Sequence, residues 1–176
     1  MATRGNVPMD PINVRRIGID YHDTFSYDPE FFTAMIWGLV RNEDPVWEVY
    51  IITGTPASKR DEIMAGLRQH NLPQRIYDHV LCGFEYDKNQ MTPAHFKRMR
   101  EHKLNLCLEY KIDTYIDDNP YYVSYLKDHG ITVMQTIVST KYLDAYKTKD
   151  PFFSCHLQEK QFAFLDDLSD DLIVKK

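Results

Sequence analysis

Five short apolar runs, separated for the most part by stretches of helical spacing, constrain this chain more than any other feature. The runs are RRIGID (15–20), VWEVYIIT (46–53), DHVLCGF (78–84), DTYIDD (113–118) and ITVMQTIV (131–138). The second and fourth are nearly continuous in apolar residues rather than alternating, as in strands covered on both faces. Helical spacing fills 29–44, where Phe31, Phe32, Met35, Ile36, Leu39 and Val40 share one stripe behind Pro29 in the first turn. It recurs in 56–71, opened by Pro56, and in 92–111, with Phe96, Met99, Leu106 and Leu108 among its apolar positions. A last helical stretch, 119–130, closes on Gly130, a residue suited to a C-terminal cap. This order predicts an α/β fold: a Rossmann-like parallel sheet of five strands, joined by right-handed crossovers, with helices on both faces.

A length of 176 residues suits one domain with its own core. The pattern divides it into a lead-in (1–14), an α/β domain (15–150) and a tail (151–176) that is first aromatic and then acidic. The tail is compatible with a short helix or an extended arm, and its LDDLSDDL run reads as a solvated face. A net charge of −5 argues against a general nucleic-acid-binding surface, yet leaves room for a locally cationic site that takes a nucleotide. Cys82, Cys107 and Cys155 are odd in number and form no C-x-x-C pair, which supports neither a disulfide framework nor a zinc site. Reduced thiols in a cytoplasmic protein are the expectation. No apolar stretch approaches the roughly 18–20 residues that span a bilayer, so no membrane partner is expected. The lead-in lacks the apolar centre of a signal peptide.

In a parallel sheet of this kind, ligands bind beyond the carboxyl ends of the strands, where the chain order reverses. Those ends carry Asp20, His22 and Asp23, then Thr53 and Gly54, then Asp117 and Asp118. Carboxylates suit Mg²⁺, which takes one or two of them together with substrate phosphate oxygens. One carboxylate can also serve as a nucleophile toward phosphorus. A threonine hydroxyl and a lysine ammonium would hold the remaining phosphoryl oxygens. Plainer roles exist for each: Asp20 as a turn residue, and Asp117 or Asp118 as a helix cap before Pro120. The TGTP segment is not a phosphate loop, because it lacks the glycine and lysine spacing. The other histidines show no metal-ligand spacing, and Tyr121 and Tyr122 read as packing residues rather than base-stacking ones.

IGIDYHDT, VYIITG, EHKLNLCLEYKIDTYIDD and TYIDDNP, in this order, resemble the four motifs of the haloacid dehalogenase-like superfamily of phosphohydrolases. The resemblance covers roughly residues 15–138. It implies that Asp20 is the nucleophile and that Thr53, Gly54 and Lys103 hold the phosphate, with Lys97 and Lys111 as competitors for the lysine. It implies Mg²⁺ on Asp20, the backbone carbonyl of His22 and one or both of Asp117 and Asp118. His22 departs from the family, whose phosphatases usually carry an aspartate there as proton shuttle. Either His22 or Asp23 is then the candidate acid and base, and an imidazole suits neutral pH. Neither gap between motifs has room for a cap domain. Such open members act on large substrates or borrow a lid from a partner subunit, which allows a homo-oligomer. The expected activity is a Mg²⁺-dependent phosphatase on a phosphorylated small molecule or nucleic-acid end, a nucleotide or polynucleotide phosphate first. The alternative is an impaired module of the same fold that binds a phosphorylated ligand or a protein partner.

Overall fold

The apolar runs form five strands in a computed structural model that describes residues 13–87 and 92–136. They are β1 (Val14–Ile19), β2 (Val46–Pro56), β3 (Val80–Gly83), β4 (Thr114–Asp117) and β5 (Thr132–Gln135). All pairings are parallel and the order is β3-β2-β1-β4-β5, the Rossmann-like α/β sheet expected from the alternation. The helices are α1 (Pro29–Val40), α2 (Arg60–Arg68), α3 (Gln74–Asp78), α4 (Pro93–Glu109) and α5 (Pro120–Asp128). No described helix is long and apolar enough to cross a membrane.

The pleat of β2 explains the two layers of helix, because successive strand side chains point to opposite faces. Val49 and Ile51 pack with Phe32 and Ile36 of α1, Ile63 and Leu67 of α2, and Ile76 of α3. Tyr50 and Ile52 enter the other core, with Leu104 and Cys107 of α4 and Leu126 of α5. Cys107 lies wholly buried there as a free thiol, and burial pushes its pKa up to about 12.

Several boundaries differ from the sequence reading, each for a local reason. Pro56 does not open a helix: it closes β2 opposite Gly83 in extended geometry, and a tight turn over Ala57–Lys59 leads into α2. The residue before a proline avoids the helical region, which keeps Thr55 extended too. The first helix ends at Val40 rather than at 44, and β3 is shorter than 78–84 because α3, opened behind Pro73, occupies the run up to Asp78. Phe31 is 57% exposed and packs edge-on against Phe32, so it lies outside the buried stripe of α1. Leu108 is 58% exposed. The buried face of α4 is Met99, Arg100, Lys103, Leu104 and Cys107, and Leu108 falls about 110° round the axis from its middle. β1 starts at Val14, one residue before the expected domain boundary. The lead-in 1–12, residues 137–150, the tail and Cys155 lie outside the described residues.

Between β1 and β4 the direction of chain progression across the sheet reverses, and such a switch point opens a crevice at the carboxyl edge. Register pairs Ile19 with Ile116, so the next residues, Asp20 and Asp117, emerge side by side. The sheet beneath them tolerates no extra volume at Gly18. A Cβ there would stand 2.7 Å from the Tyr115 ring and 2.9 Å from Ile52 Cδ1. Gly18→Ala is therefore expected to destabilise the fold by about 1–3 kcal/mol through overpacking. Urea unfolding of the variant checks this.

Candidate metal and active site

Asp20 is the first residue past β1, and its N–H still donates to the Ile116 carbonyl of β4 at 2.8 Å. The backbone then coils through Tyr21–Phe25, with Phe25 N–H returning to the Asp20 carbonyl and Ser26 N–H to that of Tyr21. His22 is extended inside this turn, and Asp23 takes the left-handed conformation at φ 57°, which aspartate tolerates better than most residues. The Tyr21 ring stacks on Phe25, and its hydroxyl lies against Gly66 of α2 where any Cβ would collide with it. Buried Thr24 meets Thr136 hydroxyl to hydroxyl at 3.2 Å, and Thr136 N–H donates to the Asp117 carbonyl. The turn is thereby fastened to both sides of the crevice.

Lys103 rises from α4 into the switch point, almost fully buried. Its ammonium donates to Asp20 Oδ1 at 2.9 Å and to Asp117 Oδ2 at 2.5 Å. The second Asp117 oxygen accepts from Asn119 N–H at 2.8 Å, while Asn119 caps α5 through Tyr121 N–H. Asp118 is also buried. Of the competing lysines, Lys111 is exposed in a left-handed turn after α4. Lys97 sits six residues earlier on α4, about 120° round the axis from Lys103.

Asp20, Asp117 and Asp118 each offer one oxygen, and the three oxygens lie within 4.8 Å of one another. Opposite ligands of a Mg²⁺ are about 4.2 Å apart and adjacent ones about 3 Å. An all-oxygen donor set on this scale fits such a cation. Charge points the same way: with all three carboxylates ionised, they and the one ammonium sum to −2, the charge a divalent ion offsets. Burial pushes the Asp20 carboxyl well above the ordinary range; Lys103 works against that, and Asp117 and Asp118 push it up further. Burial also opposes the charged form of Lys103, but Asp117 and Asp20 outweigh it and hold the ammonium well above its ordinary pKa. Lysine thus stays charged, and the carboxylate cluster is short of positive charge.

Thr53 is buried, and its hydroxyl donates to Thr55 Oγ1 and accepts Thr55 N–H, both at 3.2 Å. Gly54 lies next to Gly83, with its carbonyl where a Gly83 Cβ would stand. His22, exposed, places Nε2 2.8 Å from Thr55 Oγ1. Thr55 was not singled out in the sequence; the only signal was a second hydroxyl two residues after Thr53. Tyr121 and Tyr122 are buried, as packing residues are. The structure thus joins Asp20, Lys103 and Asp117 directly, brings an Asp118 oxygen within 4.8 Å of oxygens of both aspartates, and links His22 to Thr53 through Thr55. No protein-family model, curated protein or solved structure matches this chain.

Removing the ammonium would strand buried carboxylates, so Lys103→Met is expected to cost about 3–5 kcal/mol of stability, read by urea unfolding. Mg²⁺ is expected to raise the thermal midpoint of the native protein, with roughly 2.7 kcal/mol gained at a hundredfold excess over Kd. Asp118→Asn should shrink that Mg²⁺-dependent shift; an unchanged shift would remove Asp118 from the ligand set.

Proposed function

We propose that this site is a Mg²⁺-dependent phosphohydrolase centre that works through an aspartyl-phosphate on Asp20. The observation that carries the reading is the Lys103 ammonium held jointly by Asp20 and Asp117, with Asp118 closing a carboxylate cluster at the switch point. That geometry supports the reading that the motif resemblance implies. Bound Mg²⁺ would polarise the phosphoryl group and offset its charge.

The chain's own residues account for the remaining steps. Asp20, oriented by Lys103, attacks phosphorus with a carboxylate oxygen as the bond to the leaving oxygen breaks. His22 supplies the proton that the leaving oxygen takes up. Water then attacks the same phosphorus, its proton passing to His22, and the acyl oxygen–phosphorus bond breaks to restore the Asp20 carboxylate. Lys103 stays charged throughout and stabilises the phosphoryl oxygens as negative charge accumulates.

The connections bear on substrate size. Between β1 and β2 the chain supplies one turn and α1, and between β2 and β3 it supplies α2 and α3. Neither forms a domain over the carboxyl edge, which favours a phosphate carried on a large or protruding substrate. A nucleotide or polynucleotide phosphate is the first such class. The second reading, a binding module without turnover, draws on the histidine where the family's acid is an aspartate.

Inorganic phosphate release from mononucleotides, phosphorylated oligonucleotide ends, sugar phosphates and an aryl phosphate separates the two. The phosphohydrolase reading expects release that requires Mg²⁺ and falls to background in a folded Asp20→Asn variant. Full turnover by that variant would sink it, and silence of the native protein across the panel would favour the binding module.

A further inference from the structure

Beside the carboxylate cluster runs a line of hydroxyl contacts that the steps above do not use. It begins where the β2–β3 ladder shifts register between Ile52 and Pro56. Thr53 and Thr55 both lie in that irregular stretch, 1% and 4% exposed. Their hydroxyls and the Thr55 N–H form a closed local set, and Thr55 Oγ1 goes on to meet His22 Nε2 at 2.8 Å.

A threonine hydroxyl carries one proton and two acceptor lone pairs. The Thr53 hydroxyl fills one lone pair of Thr55 Oγ1, leaving a lone pair and a proton, either of which suits a ring nitrogen. An exposed hydroxyl would rotate in water and orient nothing. This one is buried, and held by Thr53, before the histidine reaches it. The ring is also fixed from a second direction: Tyr21 meets it edge to face at 5.1 Å, with an interplanar angle of 84°. Which nitrogen of a histidine does work is set by the hydrogen bond that the other makes.

We infer that Thr55 is a positioning residue for His22, holding the imidazole by Nε2 two residues from Asp20, with Thr53 as the support of Thr55. The inference rests on the reading of His22 as the proton-transfer group, and the experiment keeps the two apart.

In the full chain, Thr55→Val removes the hydroxyl at nearly constant shape and Thr55→Ser retains it. Nitrogen NMR of the His22 ring needs no turnover: its Nε2 signal is expected to move in Thr55→Val and to return in Thr55→Ser. An Nε2 signal unmoved in Thr55→Val, or a serine variant that behaves like valine, would overturn the inference. Turnover gives the second readout. Thr55→Val is expected to lose on the order of 10–100-fold in kcat/KM, which covers the steps up to release of the leaving group and not the shared water step, on an alkyl phosphate, whose leaving oxygen needs a proton. It should lose far less on para-nitrophenyl phosphate, whose leaving oxygen does not. Equal losses on both would overturn the assignment to proton transfer. If the native protein turns over no substrate, the phosphohydrolase reading falls and the NMR result alone decides the role of Thr55.

Discussion

The Lys103 ammonium, held between Asp20 and Asp117, is the interaction on which the carboxyl edge of this sheet depends. A lone buried ammonium would be costly, and so would three buried carboxylates. Each makes the other tolerable, and their arrangement fixes several elements at once. It requires α4 to present Lys103 toward the sheet, β1 and β4 to be neighbours, and both strands to end at the same level. The register of Ile19 with Ile116 meets the last two conditions. The face of α4 that packs inward carries Arg100 as well as Lys103, with the Arg100 guanidinium over the Tyr121 and Tyr125 rings of α5. A helix that buries two cations among aromatic rings is committed to electrostatics as much as to apolar packing.

How much of this could be read from the chain follows from what each signal depends on. The strands were legible because a run covered on both faces is apolar along most of its length, as β2 is over Val49–Ile52 and β4 is at Tyr115 and Ile116. Asp20, Asp117 and Asp118 were legible because they end separate apolar runs whose carboxyl ends converge in a parallel sheet. Lys103 was separable from Lys97 and Lys111 only by the motif resemblance, since three lysines on or beside one helix look alike until the register of the helix against the sheet is known. Phe31 and Leu108 misled for a related reason: apolar character marks a stripe, but its limits are set by packing, and on α4 the buried face includes an arginine and a lysine.

Thr55 was illegible for a different reason. Its position follows from a register shift in β2, which no periodicity announces, and its contact with His22 spans 33 residues. Pro56 sharpened the error, since a proline behind a strand-like run reads equally well as the start of a helix and as the end of an edge pairing. The contact between Tyr21 and Gly66 was hidden likewise, because a glycine inside a helix gives no hint of what approaches it.

The hydrogen bond between Lys103 and Asp20 closes 83 residues of chain. Closing a loop of that length costs more entropy than closing a short one, though only logarithmically more. The first aspartate emerges early in the sequence and stays an isolated carboxyl until α4 and β4 have docked beside β1. A cation that needs all three carboxylates therefore has only the adjacent Asp117–Asp118 pair until β1 and β4 are neighbours, and its full binding would mark the joining of the two halves of the sheet.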